Sequence, residues 1–183
     1  YYPLNMSQVS SIKNFESLCN DMKNGKINNL IILGANPVYD SPVDFDFAES
    51  LKKVKNSVHL TNIIDETSKL CSWNIAMNHY FECWGDAMTY DGHVSIVQPQ
   101  IMPLFDSKSI IQVLSPIVHS KEQSAYDTVK NVWKSNIIKS GNFEREWDKV
   151  LHDGLYKKPI FKKVNVSPAS KISTAILNNY SLD

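Results

Sequence analysis

The chain has 183 residues, enough for one domain with a sizeable core, and its 19 Lys and Arg balance 19 Asp and Glu, leaving no long-range field to favour nucleic acid or an anionic membrane. No apolar run approaches the roughly 20 residues that cross a bilayer, so neither nucleic-acid binding nor direct membrane insertion is expected. Cys19, Cys71 and Cys83 form neither the even set of a disulfide framework nor the cluster of an iron–sulfur site, and any such cluster is expected outside this segment. The first residue is not Met and no leader pattern follows, so the chain reads as a piece of a longer protein.

In chain order, Ile12, Phe15, Cys19 and Met22 recur at helical spacing from Val9 to Asn24, and Gly25 supplies a left-handed stop. The run Leu30-Ile31-Ile32-Leu33 predicts a strand buried on both faces, ended by Gly34-Ala35-Asn36-Pro37. A helix is then expected with Ser41 as N-cap, Pro42 at the first helical position and Asp44 at the third. Its apolar stripe is Phe47, Ala48, Leu51 and Val54. Ser57 to Thr61 predicts a second parallel strand, Asp65 to Leu70 a short helical turn, and Ser72 to Ala76 a third strand.

From Asn78 to Gly92 periodicity is lost while Tyr80, Phe81, Trp84 and Tyr90 accumulate, which predicts an aromatic loop, functional or packed on a neighbour. Val94 to Val97 predicts a short strand, and Ser107 to Leu114 a helix that Pro116 ends or kinks. Two helices are expected between Ser124 and Gly154, split by Gly141, with Trp133 and Trp147 in core stripes. The fold class is therefore α/β: a doubly wound, mostly parallel Rossmann-like sheet with a helical C-terminal extension. Residues 1–120 form the α/β domain, 121–155 its helical extension, and 156–183 a partly ordered, lysine-rich connector.

The sharp turn after the first strand lies where open α/β sheets bind ligands. Its backbone amides, facing a helix start, suit a phosphate or a purine edge, although a tight turn and nothing more gives the same residues. Cys71, His79, Glu82, Cys83 and His93 match no zinc spacing, so no metal site is expected. Cys83 and His79, with Asp86 nearby, form a nucleophile and base only if the segment is helical. His59, inside a strand, is read as a satisfied core or rim histidine. Thr67 is read as a cap of the short helix, Glu66 as an acceptor for amides of the loop before it, and Glu82 with Gly85 as shaping the aromatic loop.

Gly34, Asn36, Pro37, Glu66, Thr67, Glu82 and Gly85 also stand in the register of a known pattern, G-x-N-P, then E-T, then E-x-x-G. On these residues the chain resembles the third domain of molybdopterin oxidoreductases of the dimethyl-sulfoxide-reductase family, over roughly residues 9 to 155 and most specifically 30 to 105. Residues 57 to 105 resemble most the iron–sulfur and molybdopterin-like subunit branch of bacterial alternative complex III, a respiratory quinol-oxidising assembly. The resemblance implies that Gly34, Ala35, Asn36 and Pro37 lie at the guanosine end of molybdopterin guanine dinucleotide, the family cofactor, with Thr61, Glu66 and Thr67 completing the cradle.

Where the family has an Asp at the end of the second strand, this chain has Thr61. Its Cys71-Ser72 and Ile75-Ala76 replace the family's A-D and L-P. Losing a charge-assisted contact to guanine costs on the order of 2 kcal/mol, more than tenfold in affinity. The resemblance thus implies a vestigial site, no cofactor in this fragment and no catalytic residue. It also implies a scaffold role beside other domains of the same chain and subunits of a membrane respiratory complex, on the periplasmic side. A functional cofactor-binding domain and a small enzyme using Cys83 and His79 are the alternatives.

Overall fold

The computed structural model describes residues 11–89, 91–139, 141–161 and 165. Helix α1 (Ser11–Lys23) buries Cys19 and Met22 and stops at Gly25, whose φ of 69° turns the chain so that the Lys26 amide reaches back to Asp21 O at 2.9 Å. Val9 and Ser10, where this helix is expected to begin, lie outside the described residues, as do Tyr90 and, of the expected connector, residues 162–164 and 166–183.

Strands β1 (Asn29–Leu33), β2 (Asn56–Thr61) and β3 (Trp73–Ala76) form a parallel sheet in the order β1-β2-β3, with Ile31 opposite Val58 and Val58 opposite Trp73. The α/β class read from the sequence holds. Side chains alternate along each strand, so Leu30 and Ile32 point into a core built from Cys19, Met22, Phe47, Leu51 and Val54. Ile31 and Trp73 share the opposite face, where Trp73 is 67% exposed.

The single helix expected after Ser41 is instead a 3₁₀ turn (Val43–Phe45) and α3 (Phe47–Leu51), and a separate short helix, α2 (Pro37–Asp40), precedes Ser41. Pro42 disfavours helical geometry at Ser41, which is extended with ψ 151° and closes α2 rather than opening a helix. Asp46 then takes the left-handed conformation, φ 49°, and restarts the chain. The stripe still works, because Phe47, Leu51 and Val54 are buried despite the breaks.

Beyond α4 (Glu66–Leu70) and β3, the aromatic segment is not all loop. A 3₁₀ turn (Tyr80–Glu82) leads into β4 (Gly85–Met88), which pairs antiparallel with β5 (Val94–Val97). β6 (Leu155–Tyr156) adds to the other edge of β5. Helix α5 (Ile110–His119) starts from Ser109 as N-cap and runs past Pro116 to a left-handed Ser120. α6 (Ala125–Val132) continues as a π-helical turn (Trp133–Ile137), and α7 (Phe143–Asp153) ends at Gly154, φ 72°. Trp133 and Trp147, both fully buried, join Val94, Ile96, Val129, Val150 and Tyr156 in a second core. The two halves meet where Lys108 bridges in parallel to Met77 at the end of β3.

Candidate functional site

The carboxyl ends of β1 and β2 carry the turn that the sequence singles out. Gly34 has φ 63°, donates its amide to Leu60 O at 2.9 Å, and a Cβ there would lie 3.5 Å from the Met77 methyl. Helix geometry begins at Pro37, with Asn36 as its cap residue, so no bond is lost for want of a proline N–H. The turn is then fastened by side chains from β2 and α4.

Asn36 is bound at both ends of its amide. Its Nδ2 donates to Glu66 Oε2 at 2.7 Å, and its Oδ1 accepts from the Thr67 hydroxyl at 2.7 Å and the Thr67 amide at 3.3 Å. Thr67 Oγ1 in turn accepts from the Val38 amide at 3.1 Å. His59, fully buried, approaches Ala35 O at 2.9 Å through Nε2. A carbonyl can only accept, so that nitrogen carries a proton. Its Nδ1 lies 3.0 Å from Ser68 Oγ and 3.6 Å from Asp65 Oδ1. The histidine is satisfied in the core, as read from its place in a strand.

Asp65, rather than Thr67, caps α4: its Oδ1 accepts from the Ser68 amide at 2.8 Å, and Ser68 Oγ accepts from the Asp65 amide at 3.2 Å. Glu66 holds the Asn36 side chain rather than loop amides, and this bond is the main cause that keeps its carboxyl below the usual range. Burial alone raises the Asp65 carboxyl, but bonds from the Ser68 amide and hydroxyl outweigh it and leave it lowered. The Thr61 hydroxyl donates to Ile63 O at 3.1 Å. The seven predicted positions are thus gathered at one end of the sheet, tied chiefly to one another and to β2 and α4.

No family model matches the chain, and no curated protein matches it. Among solved structures it is similar to acetylene hydratase from Pelobacter acetylenicus, with a TM-score of 0.46 and 14% identity. The matched part covers 51% of this chain and 14% of that one, so the chain spans a small fraction of that protein's length.

Much of the side-chain hydrogen-bonding capacity at this turn is committed within the protein, which leaves few groups for a pterin guanine dinucleotide. A purine edge needs free donors and acceptors, and at Asn36 both lone pairs of Oδ1 are taken by Thr67 and one Nδ2 proton by Glu66, which leaves a single side-chain N–H. At Thr61, where the resemblance places a carboxylate opposite guanine, the hydroxyl proton is committed to Ile63 O.

His79, Cys83 and Asp86 do come together, on the wall of a cavity of about 600 Å³ between the sheet end, the 79–86 segment and helices α5 and α6. They are not on one helical face. His79 precedes the 3₁₀ turn and its Nδ1 accepts from the Phe81 amide at 3.2 Å, while Asp86 Oδ2 accepts from the Trp133 indole at 2.8 Å. Burial pushes the Cys83 thiol up, and the neighbouring Glu82 carboxylate adds to this, which is opposite to an activated nucleophile. Glu82 bonds the His79 amide at 2.8 Å and the Leu104 amide at 2.9 Å, the loop-shaping part expected of it.

Among the described residues no three His, Cys, Asp or Glu side chains gather as a metal site, and no helix is long and apolar enough to cross a membrane. Sequence reasoning missed the Asp86–Trp133 pair, since contacts 47 residues apart leave no local signal. The Asp65-x-x-Ser68 box was legible in principle as a helix start.

Proposed function

We propose that this chain is a piece of a molybdopterin-oxidoreductase-like subunit in which the nucleotide cradle has become a structural joint. In this reading the piece is a scaffold within a respiratory quinol-oxidising complex on the periplasmic side of a membrane. Its partners are other domains of the same chain and the subunits around them, and electrons pass through iron–sulfur centres elsewhere. It turns over nothing alone.

The observation that carries the reading is the Asn36 amide, bonded at both ends by Glu66 and Thr67. A side chain held this way stiffens the turn and leaves a base no acceptor and a single N–H. An interface role is supported by Ile101, Met102, Leu104 and Phe105, four apolar side chains exposed within five positions on a loop anchored by Glu82.

Isothermal titration of the chain with GDP tests the cradle. The expected result is no saturable heat. Saturable binding that disappears in Asn36→Ala replaces this reading with a working cofactor-binding domain.

A further inference from the structure

Strand β1 lies at the end of its sheet, with β2 on one side. The Gly34 amide donates to Leu60 O at 2.9 Å and Asn28 O accepts from the Asn56 amide at 2.9 Å, so the backbone at both ends of β1 turns these groups towards β2. Backbone groups alternate sides along a strand. Leu30 and Ile32 therefore also face β2, and the N–H and C=O groups of Asn29, Ile31 and Leu33 point outward, where no backbone bond among the described residues meets them.

An edge of this kind accepts another strand unless something blunts it. Charged side chains, proline and bulges are the usual devices, and Asn29-Leu30-Ile31-Ile32-Leu33 has none of them, running beside β2 without a break in register. The nearest charge on its amino side, Lys26, is paired with Asp21 at 2.9 Å. Ile31 is 38% exposed, on the sheet face it shares with Val58 and Trp73.

The outward groups are also symmetric. They belong to the first, third and fifth residues of a five-residue strand, so a two-fold axis at Ile31 sets Ile31 opposite Ile31, and Asn29 opposite Leu33, of a second copy. Each opposed pair exchanges two bonds in an antiparallel ladder, and every outward group of β1 is then satisfied. Between these pairs Leu30 meets Ile32 on the other face, and no like charges are opposed. A contact that uses the same patch on both molecules closes after two copies.

We propose that β1 pairs antiparallel with β1 of a second copy about a two-fold axis at Ile31, joining two three-stranded sheets into one. The contact is made by the backbone of β1 and by none of the cradle side chains, so it stands apart from the function proposed above. A five-residue edge buries less than the roughly 800 Å² per partner of a standard interface, and the dimer therefore forms at high protein concentration.

Sedimentation equilibrium of the full chain, over concentrations up to about 1 mM, tests the association. Its mass is expected to rise towards twice that of one chain. In a concentrated mixture of isotope-labelled and unlabelled chains, an intermolecular NOE is expected between Leu30 Hα and Ile32 Hα, because a non-hydrogen-bonded antiparallel pair brings its Cα atoms to about 4.5 Å. Ile31→Lys places two ammonium groups across the axis and is expected to weaken the dimer about tenfold or more. A constant mass over the series, association without that NOE, or an Ile31→Lys chain that dimerises as tightly each overturns the proposal, and the first two do not require the variant to fold.

Discussion

The Asn36 side chain donates to the Glu66 carboxylate at 2.7 Å, closing a contact across 30 residues between the turn after β1 and the first residue of α4. Thr67, next in sequence, takes the other end of the same amide. Two neighbouring residues of one short helix therefore hold both ends of one side chain, and the turn has little freedom to open.

Thr67 is fully buried, and its hydroxyl both donates to Asn36 Oδ1 and accepts from the Val38 amide. Thr67→Val keeps the shape, strands the Val38 amide and leaves Asn36 Oδ1 only the longer bond from the Thr67 amide, so a loss of about 2 kcal/mol is expected in urea unfolding. A change below about 0.5 kcal/mol, within the range of ordinary surface substitutions, would show that the joint does not hold the turn.

The Asp91 carboxyl is pulled down from 3.8 to about 2, first by the Thr89 hydroxyl and then by His93, whose Nδ1 lies 2.9 Å away. A carboxyl lowered on folding stabilises the folded chain fully above its unfolded value of 3.8, and that contribution is lost as pH falls through about 2. The carboxyl carbon of Asp91 should titrate with a midpoint near 2 by NMR, and Thr89→Val should move the midpoint upward. An unaltered chain titrating at the ordinary value would remove the hydroxyl from this account.

Gly92 and Gly141 share almost the same backbone, φ 84° and 83°, but not the same surroundings. A Cβ on Gly92 would sit 2.8 Å from the Phe161 ring and 2.9 Å from the Phe161 amide nitrogen, whereas on Gly141 it meets open space. Gly141→Ala should cost only the left-handed penalty, about 1 kcal/mol, and Gly92→Ala on the order of 2 kcal/mol more. Paired thermal melts measure the difference, and equal shifts in Tm would mean that Phe161 does not pack there.

Much of this fold was legible because its strands are short apolar runs. Leu30 to Leu33, Ser57 to Thr61 and Val94 to Val97 were each read within a residue or so of their observed bounds. Gly85 to Met88 was not, since Gly-Asp-Ala-Met shows no apolar alternation and becomes a strand through its backbone pairing with β5. Ser41-Pro42 misled for a physical reason: the same dipeptide opens a helix or, as here, closes one, depending on whether the preceding residues already turn. In the candidate site the positions were legible from the motif. Their use was not, because whether Asn36 faces a ligand or Glu66 depends on where a helix 30 residues away is set down.

The two sheets differ in how far apart their strands lie along the chain. The parallel sheet is complete by Ala76, but β5 receives its second neighbour only at Leu155 and Tyr156. As a nascent chain leaves the ribosome amino end first, the first sheet can assemble early, while Val94 and Ile96 wait for Val129 and Trp133 and are fully covered only when Trp147, Val150 and Tyr156 follow. Stalled or shortened products ending before α7 would therefore carry a finished first half and a hairpin whose apolar face is covered only in part, by Val129 and Trp133, the species on which chaperones and proteases act.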